Sequence, residues 1–235
     1  MRGLIVIPAH NEAASIGRVL DEVGAQGLGL PVLVVDDGSR DETAGIASAR
    51  RARVVSHLVN LGYSRALLTG MRYACRNGFD FCLTLDADGQ HDPSNLRDLV
   101  ERAGRADRPD LVVGSRFLGA ASHETPWLRR IGMRLFSWVT AIAAGQRFSD
   151  TTCGLRLWSR AAMEAALQAA FGDLHSEMII YAIRRGLVVV EVPVRIRSRT
   201  TGESMYGLVS SLAYPFRTLL AVLVLSQQAS RPKRP

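Results

Sequence analysis

Residues 83–91 read LTLDADGQH, and they decide the fold class because an apolar run of strand length ends there in acidic residues. Runs of similar length recur along the first half of the chain: Leu4–Ala9, Val32–Asp36, Val54–Ser56, Phe81–Asp86 and Leu111–Ser115. They are continuous rather than alternating, which is typical of strands covered on both faces of a sheet. Strands alternating with helical segments predict an α/β fold with a mostly parallel, doubly wound sheet.

Helical periodicity fills the intervals between these runs. Ile16, Val19, Leu20 and Val23 recur at helical spacing and predict a first helix, with Asn11 as its cap. Asp92-Pro93 is predicted to open another helix, as a side-chain cap followed by proline. Further helices are predicted at 41–51, 64–77, 159–170 and 175–186, and a late strand at Leu187–Val194.

The C-terminal half is predicted to contain amphipathic helices. Trp127–Ala144 alternates apolar residues with Arg129, Arg130 and Arg134, which favours a helix lying in a headgroup layer or packing on the domain. Leu208–Leu225 is strongly apolar but is interrupted by a proline and an arginine, so its longest clean run is too short to span a bilayer. We expect it to lie on a membrane surface or to cap the core.

Composition excludes several classes of protein. The chain has 235 residues, of which 47% are hydrophobic and 22% charged, so it can bury a sizeable core and is not disordered. Its three cysteines, Cys75, Cys82 and Cys153, lack metal-ligand spacing and predict idle thiols in a reducing compartment. No basic-then-apolar leader opens the sequence, which favours a cytoplasmic location.

The formal net charge of +7 is concentrated in the second half of the chain. Residues 1–110 carry 13 Arg and 15 Asp or Glu, a net −2, whereas residues 111–235 carry a net +9. A basic half of this kind suits nucleic acid, an anionic membrane surface or a phosphorylated substrate. A nucleic-acid-binding module would also need exposed aromatic residues, and aromatic residues make up only 6% of the chain.

Two carboxylates one residue apart, Asp86 and Asp88, predict a metal site at the end of their strand. Side chains at i and i+2 of an extended chain point the same way, so both can approach one cation. Carboxylates are the ligands that Mg²⁺ or Mn²⁺ prefers, and Gln90 would add an amide oxygen. The alternative is a turn in which the two aspartates cap backbone amides.

A second acidic pair, Asp36-Asp37, ends the run at Val32–Asp36, and residues 8–12, PAHNE, end the first run. Parallel strands deliver their carboxyl ends to one sheet edge, where open α/β folds bind ligands. Carboxylates there would accept hydrogen bonds from a nucleoside's base and ribose. The alternative for PAHNE is a helix start, with Glu12 favoured by the helix dipole.

Taken in order, these segments resemble the family 2 glycosyltransferases, and most closely the dolichyl-phosphate and polyprenyl-phosphate mannosyltransferase branch. The matching pieces are PAHNE (8–12), VVDDGSRDET (34–43), NLGYSRALLTG (60–70), LDADGQHDP (85–93), GSR (114–116), DTTCGLR (150–156) and RTTGES (199–204). The resemblance implies a GT-A type nucleotide-binding fold over residues 1–205. It implies a nucleotide- and metal-binding half at 1–115, an acceptor half at 116–205, and an apolar helix with a basic tail at 206–235.

The resemblance also implies a role for individual residues. Asp86, Asp88 and Gln90 would hold Mg²⁺ or Mn²⁺. Arg199 would contact the donor diphosphate, and Arg116 would lie near an acceptor phosphate. Met205 stands where the family usually has lysine, so one expected phosphate contact is missing. The residues expected to line the nucleoside pocket are Pro8, His10, Glu12, Val35, Asp37 and Ala87.

The activity implied is metal-dependent, inverting transfer of a sugar from a GDP- or UDP-sugar to a polyprenyl phosphate at the cytoplasmic face of a membrane. A membrane partner protein would be an alternative means of attachment. A phosphate acceptor is already anionic, whereas a hydroxyl acceptor, as in cell-wall or exopolysaccharide synthesis, would need a base. Asp150, His91 and His175 are the candidates for that base. A nucleotidyltransferase is disfavoured because no glycine-rich loop follows the first strand.

Overall fold

The structure is a computed structural model, and it describes residues 1–118, 141, 145–169 and 174–197. These residues contain one seven-stranded sheet. Its strands are β1 Gly3–Ala9, β2 Val32–Asp36, β3 Arg53–Ser56, β4 Phe81–Thr84, β5 Leu111–Ser115, β6 Arg156–Ser159 and β7 Val189–Pro193. The spatial order is β3-β2-β1-β4-β6-β5-β7. All neighbouring pairs are parallel except those of β6, which runs antiparallel to both β4 and β5.

Helices cover both faces of this sheet. They are α1 Ile16–Ala25, α2 Thr43–Ala49, α3 Tyr63–Arg76, α4 Asn95–Ala103, α5 Arg160–Gln168 and α6 Ser176–Arg184. Successive residues of β1 enter opposite cores, because side chains alternate across a strand. Leu4 and Val6 pack in the core that contains α3, α5 and α6, whereas Ile5 and Ile7 pack in the core that contains α1 and α4. The predicted α/β class with a doubly wound, mostly parallel sheet is confirmed.

Two predicted helix starts are wrong. The first helix begins at Ile16 rather than directly after Asn11. Asn11 instead has a φ of 55°, and its Oδ1 accepts the amide of Arg40 at 2.9 Å, so it shapes the turn that precedes the helix. Similarly, α4 begins at Asn95, and Asp92 Oδ1 accepts the amide of Ser94 at 2.9 Å in the turn before it.

Strand β6 was not predicted from the sequence, and β4 ends at Thr84, two residues before its predicted end. Strand β6 has four residues and begins with Arg156, a charged residue that does not signal a buried strand. Its antiparallel direction also departs from the strand–helix alternation of the first half. Two other predictions, the helix at 127–144 and the apolar segment at 208–225, lie outside the described residues, apart from position 141.

Seven chain segments meet at one edge of the sheet. The carboxyl ends of β1–β5 and β7 lie there because these strands share one direction, and the amino end of β6 lies there because β6 runs the opposite way. The segments that follow or precede these ends are 10–12, 37–39, 57–62, 85–91, 116–118, 150–155 and 194–197. Strands β1–β5 come from the predicted nucleotide half and β6–β7 from the predicted acceptor half, so both halves build the same edge. The division into those halves stays a prediction.

In the parts of the chain that the structure describes, no helix combines the length and apolar character needed to cross a membrane.

Candidate active site

Asp86 lies two residues beyond β4, and protein donors contact both of its carboxylate oxygens. The hydroxyl of Tyr63 donates to Oδ1 at 2.8 Å, and His91 Nε2 lies 3.2 Å from Oδ2. Burial acts to raise the pKa of Asp86, but the hydrogen bond and charge of His91 and the hydrogen bond from Tyr63 outweigh it and lower that pKa. Asp86 is therefore ionised at neutral pH, as a carboxylate that binds a cation must be.

Asp88 and Gln90 form the turn that follows. Asp88 Oδ1 accepts the backbone amide of Gln90 at 3.0 Å, so the capping role that the sequence offered as an alternative is present for this oxygen. Gly89 between them has a φ of 73°, which glycine adopts without strain. The carbonyl of Gln90 accepts the amide of Arg197 at 2.8 Å, which ties the turn to the chain beyond β7.

The donor chemistry of this turn fits a hard divalent cation. Asp86, Asp88 and Gln90 offer carboxylate and amide oxygens within five residues of one another. Among the described residues, no group of three or more His, Cys, Asp or Glu side chains is placed to hold a metal ion by itself. Mg²⁺ commonly takes one or two protein carboxylates and completes its shell with substrate phosphates and water, so two carboxylates and an amide oxygen are a suitable set of protein ligands.

Asp37 lies at the end of β2 and is 3% exposed. Its Oδ1 accepts the amide of Leu61 at 2.9 Å and lies 2.7 Å from His57 Nδ1, and its Oδ2 accepts the amide of Gly62 at 2.7 Å. Burial acts to raise the pKa of Asp37, but the bonds from Leu61, His57 and Gly62 lower it overall. Asp37 thus braces residues 57–62, which connect β3 to α3.

The end of β1 lies beside Asp37. Pro8 is buried and pairs in register with Val35 of β2, and both were predicted to line the nucleoside pocket. His10 Nδ1 lies 2.8 Å from the carbonyl oxygen of Asp37. Glu12 Oε2 accepts the hydroxyl of Ser15 at 2.5 Å. The structure therefore brings these predicted pocket residues together at neighbouring strand ends. The sixth of them, Ala87, is buried beyond β4.

Arg116 and Asp150, two further predicted site residues, form an ion pair after β5. Arg116 Nε and Nη2 donate to the two Asp150 oxygens at 2.6 and 2.9 Å, and the Arg116 amide donates to Oδ2 at 3.1 Å. Burial opposes the charge of each group, but the pairing overcomes this penalty. It lowers the pKa of the Asp150 carboxyl and raises that of the Arg116 guanidinium. Asp150 is consequently a weak base, while Arg116 keeps 27% of its side chain exposed.

Tyr63 and Arg156 make contacts that the sequence did not predict. Burial first, and then the charge of Asp86 and the hydrogen bond to it, raise the pKa of Tyr63, which keeps its hydroxyl protonated. Arg156 is buried, and its guanidinium donates to the carbonyl oxygens of Leu174 at 2.6 Å, Thr151 at 2.9 Å and Cys153 at 2.9 Å. Their only sequence signal was membership of the NLGYSRALLTG and DTTCGLR motifs, because the partners are distant in sequence.

Two other predicted positions, Arg199 and Met205, lie outside the described residues. The chain that leads toward them is held against the turn that follows Asp86. Arg197 donates from Nη1 to Glu22 at 2.8 Å, and its Nη2 lies 3.4 Å from Asp92 Oδ2. His91 and Ile196 form an antiparallel bridge.

Comparison with known proteins decides the family. The sequence model described as Glycosyl transferase family 2 matches residues 4–167. This chain belongs to glycosyl transferase family 2. The glycosyltransferase assignment confirms the resemblance inferred from the seven motifs. It makes the protein an enzyme rather than the basic binding module that its charge permitted.

Curated relatives of this glycosyltransferase align over most of its length. It is 32% identical to an undecaprenyl-phosphate mannosyltransferase from Micrococcus luteus, over 87% of each chain. It is 28% identical to a polyprenol monophosphomannose synthase from Mycolicibacterium smegmatis, over 86% of this chain and 80% of that protein.

A solved structure supports the GT-A fold of this glycosyltransferase. Glucosyl-3-phosphoglycerate synthase from Mycobacterium tuberculosis, in complex with phosphoglyceric acid, superposes with a TM-score of 0.72 at 22% identity. The alignment covers 99% of this chain and 81% of that one. The same synthase in complex with Mn²⁺, uridine-diphosphate and glucosyl-3-phosphoglycerate superposes with a TM-score of 0.64.

Proposed function

We propose that this glycosyltransferase moves a sugar from a GDP- or UDP-sugar to the phosphate of a polyprenyl lipid, with inversion at the anomeric carbon. The names of its relatives from Micrococcus luteus and Mycolicibacterium smegmatis support a polyprenyl acceptor. The observation that carries the proposal is the ion pair of Arg116 with Asp150 at the edge of the sheet where the strand ends meet. It matters because it occupies the carboxylate that would otherwise be a candidate base for activating a hydroxyl acceptor.

Each candidate base at this edge is engaged with another group of the protein. Asp150 accepts three hydrogen bonds from Arg116, two from the guanidinium and one from the backbone amide. His91 is 7% exposed and lies against Asp86, and the ring of His175 stacks on Tyr63. A hydroxyl acceptor needs a base to remove its proton, whereas a phosphate monoester is already anionic near neutral pH. The arrangement therefore favours a phosphate acceptor.

Asp86, Asp88 and Gln90 are proposed to hold Mg²⁺ or Mn²⁺ together with the diphosphate of the donor. A cation bound there would supply positive charge that stabilises the nucleoside diphosphate as it leaves the sugar. Arg116, with its partly exposed guanidinium, would attract the acceptor phosphate and orient it. The low pKa of Asp86 supports the proposal because the carboxylate needs no deprotonation to bind a cation.

The nucleoside pocket is proposed to lie between the ends of β1, β2 and β4. Pro8, His10, Glu12 and Val35 come from the first two of these strand ends, and Ala87 from the third. Asp37 would act there through the loop that it braces as well as through any contact with the nucleoside. Arg199 would contact the donor diphosphate, as the family resemblance implies.

The enzyme is proposed to act peripherally at the cytoplasmic face of a membrane, with or without a membrane partner protein. Arg129, Arg130 and Arg134 among apolar neighbours favour an interfacial segment, and the net charge of +9 in residues 111–235 suits anionic lipid.

The test combines nucleotide binding with acceptor choice. Thermal unfolding with GDP or UDP, each with and without Mn²⁺, should show metal-dependent stabilisation by one nucleotide. The matching radiolabelled sugar donors are then offered undecaprenyl phosphate and, as matched control, undecaprenol without phosphate. We expect labelled lipid from the phosphate alone, and its loss on addition of EDTA. Transfer to undecaprenol, or no metal-dependent response to either nucleotide, would overturn the proposal.

A further inference from the structure

We infer that Tyr63 is a positioning residue for the metal site, because its hydroxyl fixes the Asp86 carboxylate in the orientation that binds the cation. The inference rests on the proposed role of Asp86 as a metal ligand. It adds a residue of α3 that lies 23 positions before Asp86 and is not itself a ligand.

The contact is direct and well formed. Tyr63 Oη donates to Asp86 Oδ1 at 2.8 Å, and His91 Nε2 approaches the other oxygen at 3.2 Å. Each carboxylate oxygen can accept about two hydrogen bonds or ligand contacts, so one acceptor direction on each oxygen is left for a cation or its water. Two donors on one carboxylate also restrict its χ2 rotation. Less conformational freedom is then lost when a cation binds.

The tyrosine ring is itself held in place. Its face stacks on His175, with ring centroids 5.5 Å apart and planes 8° from parallel. Arg156 secures that neighbour by donating to the carbonyl oxygens of Leu174 at 2.6 Å and His175 at 3.3 Å. Ser64, next to the tyrosine, accepts the amide of Leu174 at 3.4 Å. The start of α3 and residues 174–175 therefore fix the ring from two sides.

Gly154 leaves space for the hydrogen bond between Tyr63 and Asp86 because it has no side chain. A Cβ at this position would lie 2.6 Å from Tyr63 Oη and 2.6 and 2.7 Å from the two oxygens of Asp86, closer than carbon and oxygen atoms pack. The backbone before β6 thus covers the hydrogen bond on a third side. Its tight packing leaves Tyr63 and Asp86 little space to separate.

The conservative variant Tyr63→Phe removes the hydroxyl and keeps the ring. Loss of a partner that orients a metal ligand typically weakens metal binding 10- to 100-fold. Mn²⁺ binding to the full chain, in the presence of the stabilising nucleoside diphosphate, is measured from the electron paramagnetic resonance signal of free Mn²⁺. We expect Tyr63→Phe to raise the Mn²⁺ dissociation constant about 10-fold or more. The matched control, Tyr73→Phe on the same helix, removes a hydroxyl that contacts Arg53 and should leave Mn²⁺ binding unchanged.

Turnover at rising Mn²⁺ separates positioning from general structural damage. In Tyr63→Phe, saturating Mn²⁺ should restore kcat, and the half-saturating Mn²⁺ concentration should stay raised. A fall in kcat that excess Mn²⁺ does not correct would overturn the inference. So would an Mn²⁺ dissociation constant equal to that of the wild type.

Two further measurements keep the outcome decisive. Gly154→Ala should weaken Mn²⁺ binding by crowding the same contact, so normal Mn²⁺ binding in that variant would count against the inference even if Tyr63→Phe failed to fold. Asp86→Asn tests the proposed function separately. If Asp86→Asn binds Mn²⁺ like the wild type, the metal site itself is wrong. If Tyr63→Phe binds Mn²⁺ like the wild type and Asp86→Asn does not, the metal site stands and the role of Tyr63 is refuted.

Discussion

The two acidic strand ends of this enzyme have the same sequence signal and different surroundings. Asp37, after β2, is 3% exposed, and its oxygens accept two backbone amides from the loop before α3 and lie 2.7 Å from His57 Nδ1. Asp86, after β4, keeps 29% of its side chain exposed and is contacted by the side chains of Tyr63 and His91. The buried carboxylate of Asp37 holds the loop beside it, whereas the carboxylate of Asp86 is oriented by two side chains and keeps part of its surface accessible. Substitutions at the two ends should therefore affect different properties.

The largest effect on catalysis is expected at the β4 end. Asp88→Asn keeps the size of the side chain and removes its charge, so it should lower kcat at least about 100-fold. The midpoint of thermal unfolding should stay close to that of the wild type, because Asp88 lies in a surface turn. Turnover and thermal unfolding of the same preparation check both halves of the expectation. Turnover at the wild-type rate would remove the metal from the mechanism.

The largest effect on stability is expected at the β2 end. Asp37→Ala leaves the amides of Leu61 and Gly62 without their charged acceptor, which should lower the free energy of unfolding by about 2–4 kcal/mol. Urea unfolding measures the change. Asp21→Ala, which removes an exposed ion pair with Arg50, is the control and should cost less than about 1 kcal/mol. Equal losses in the two variants would show that Asp37 braces nothing.

The Arg116–Asp150 ion pair should make the free energy of unfolding depend on pH. The pKa of Asp150 is lower in the folded protein than in the unfolded chain, so its ionisation stabilises the fold at neutral pH. That contribution is fully present above the ordinary aspartate pKa of about 4 and is lost as the pH falls through the lower folded value. Asp150→Asn should therefore be less stable than the wild type at pH 7, and the difference should narrow toward pH 3. A stability gap that is independent of pH would contradict this assignment.

The smallest effect is expected in the exposed part of the loop that Asp37 braces. Leu58 is fully exposed, so Leu58→Ser should change the free energy of unfolding by less than about 0.5 kcal/mol. Urea unfolding of Leu58→Ser and of Asp37→Ala compares the free energies of unfolding of two variants that affect the same loop. A loss approaching that of Asp37→Ala would mean that the apolar side chains, rather than the carboxylate, hold the loop.

Several strand ends were predictable from the sequence because the point where a continuous apolar run stops is a local pattern. The runs ending at Asp36 and Ser115 match β2 and β5 residue for residue. Asp86, Arg116 and Asp150, which the family motifs singled out, lie at the same edge of the sheet.

The use that the protein makes of each carboxylate was not predictable, because its partners are distant in sequence. Asp37 is bonded to amides 24 and 25 residues later, and Asp86 to a hydroxyl 23 residues earlier. No local pattern reports such contacts. From the sequence alone, Asn11 was as good a candidate for a helix cap as for a turn residue, and its φ of 55° identifies it as a turn residue. Strand β6 was missed for a related reason, since it is defined by antiparallel neighbours rather than by its own composition.

Because β6 runs antiparallel to β5, the connection between them begins and ends at the same edge of the sheet. The Arg116–Asp150 ion pair joins the first residue of that connection to a residue close to its end. The entropy cost of closing a loop rises only slowly with its length. A change in the number of residues between Arg116 and Asp150 should therefore leave the pairing of β1 with β2 and β4 unchanged.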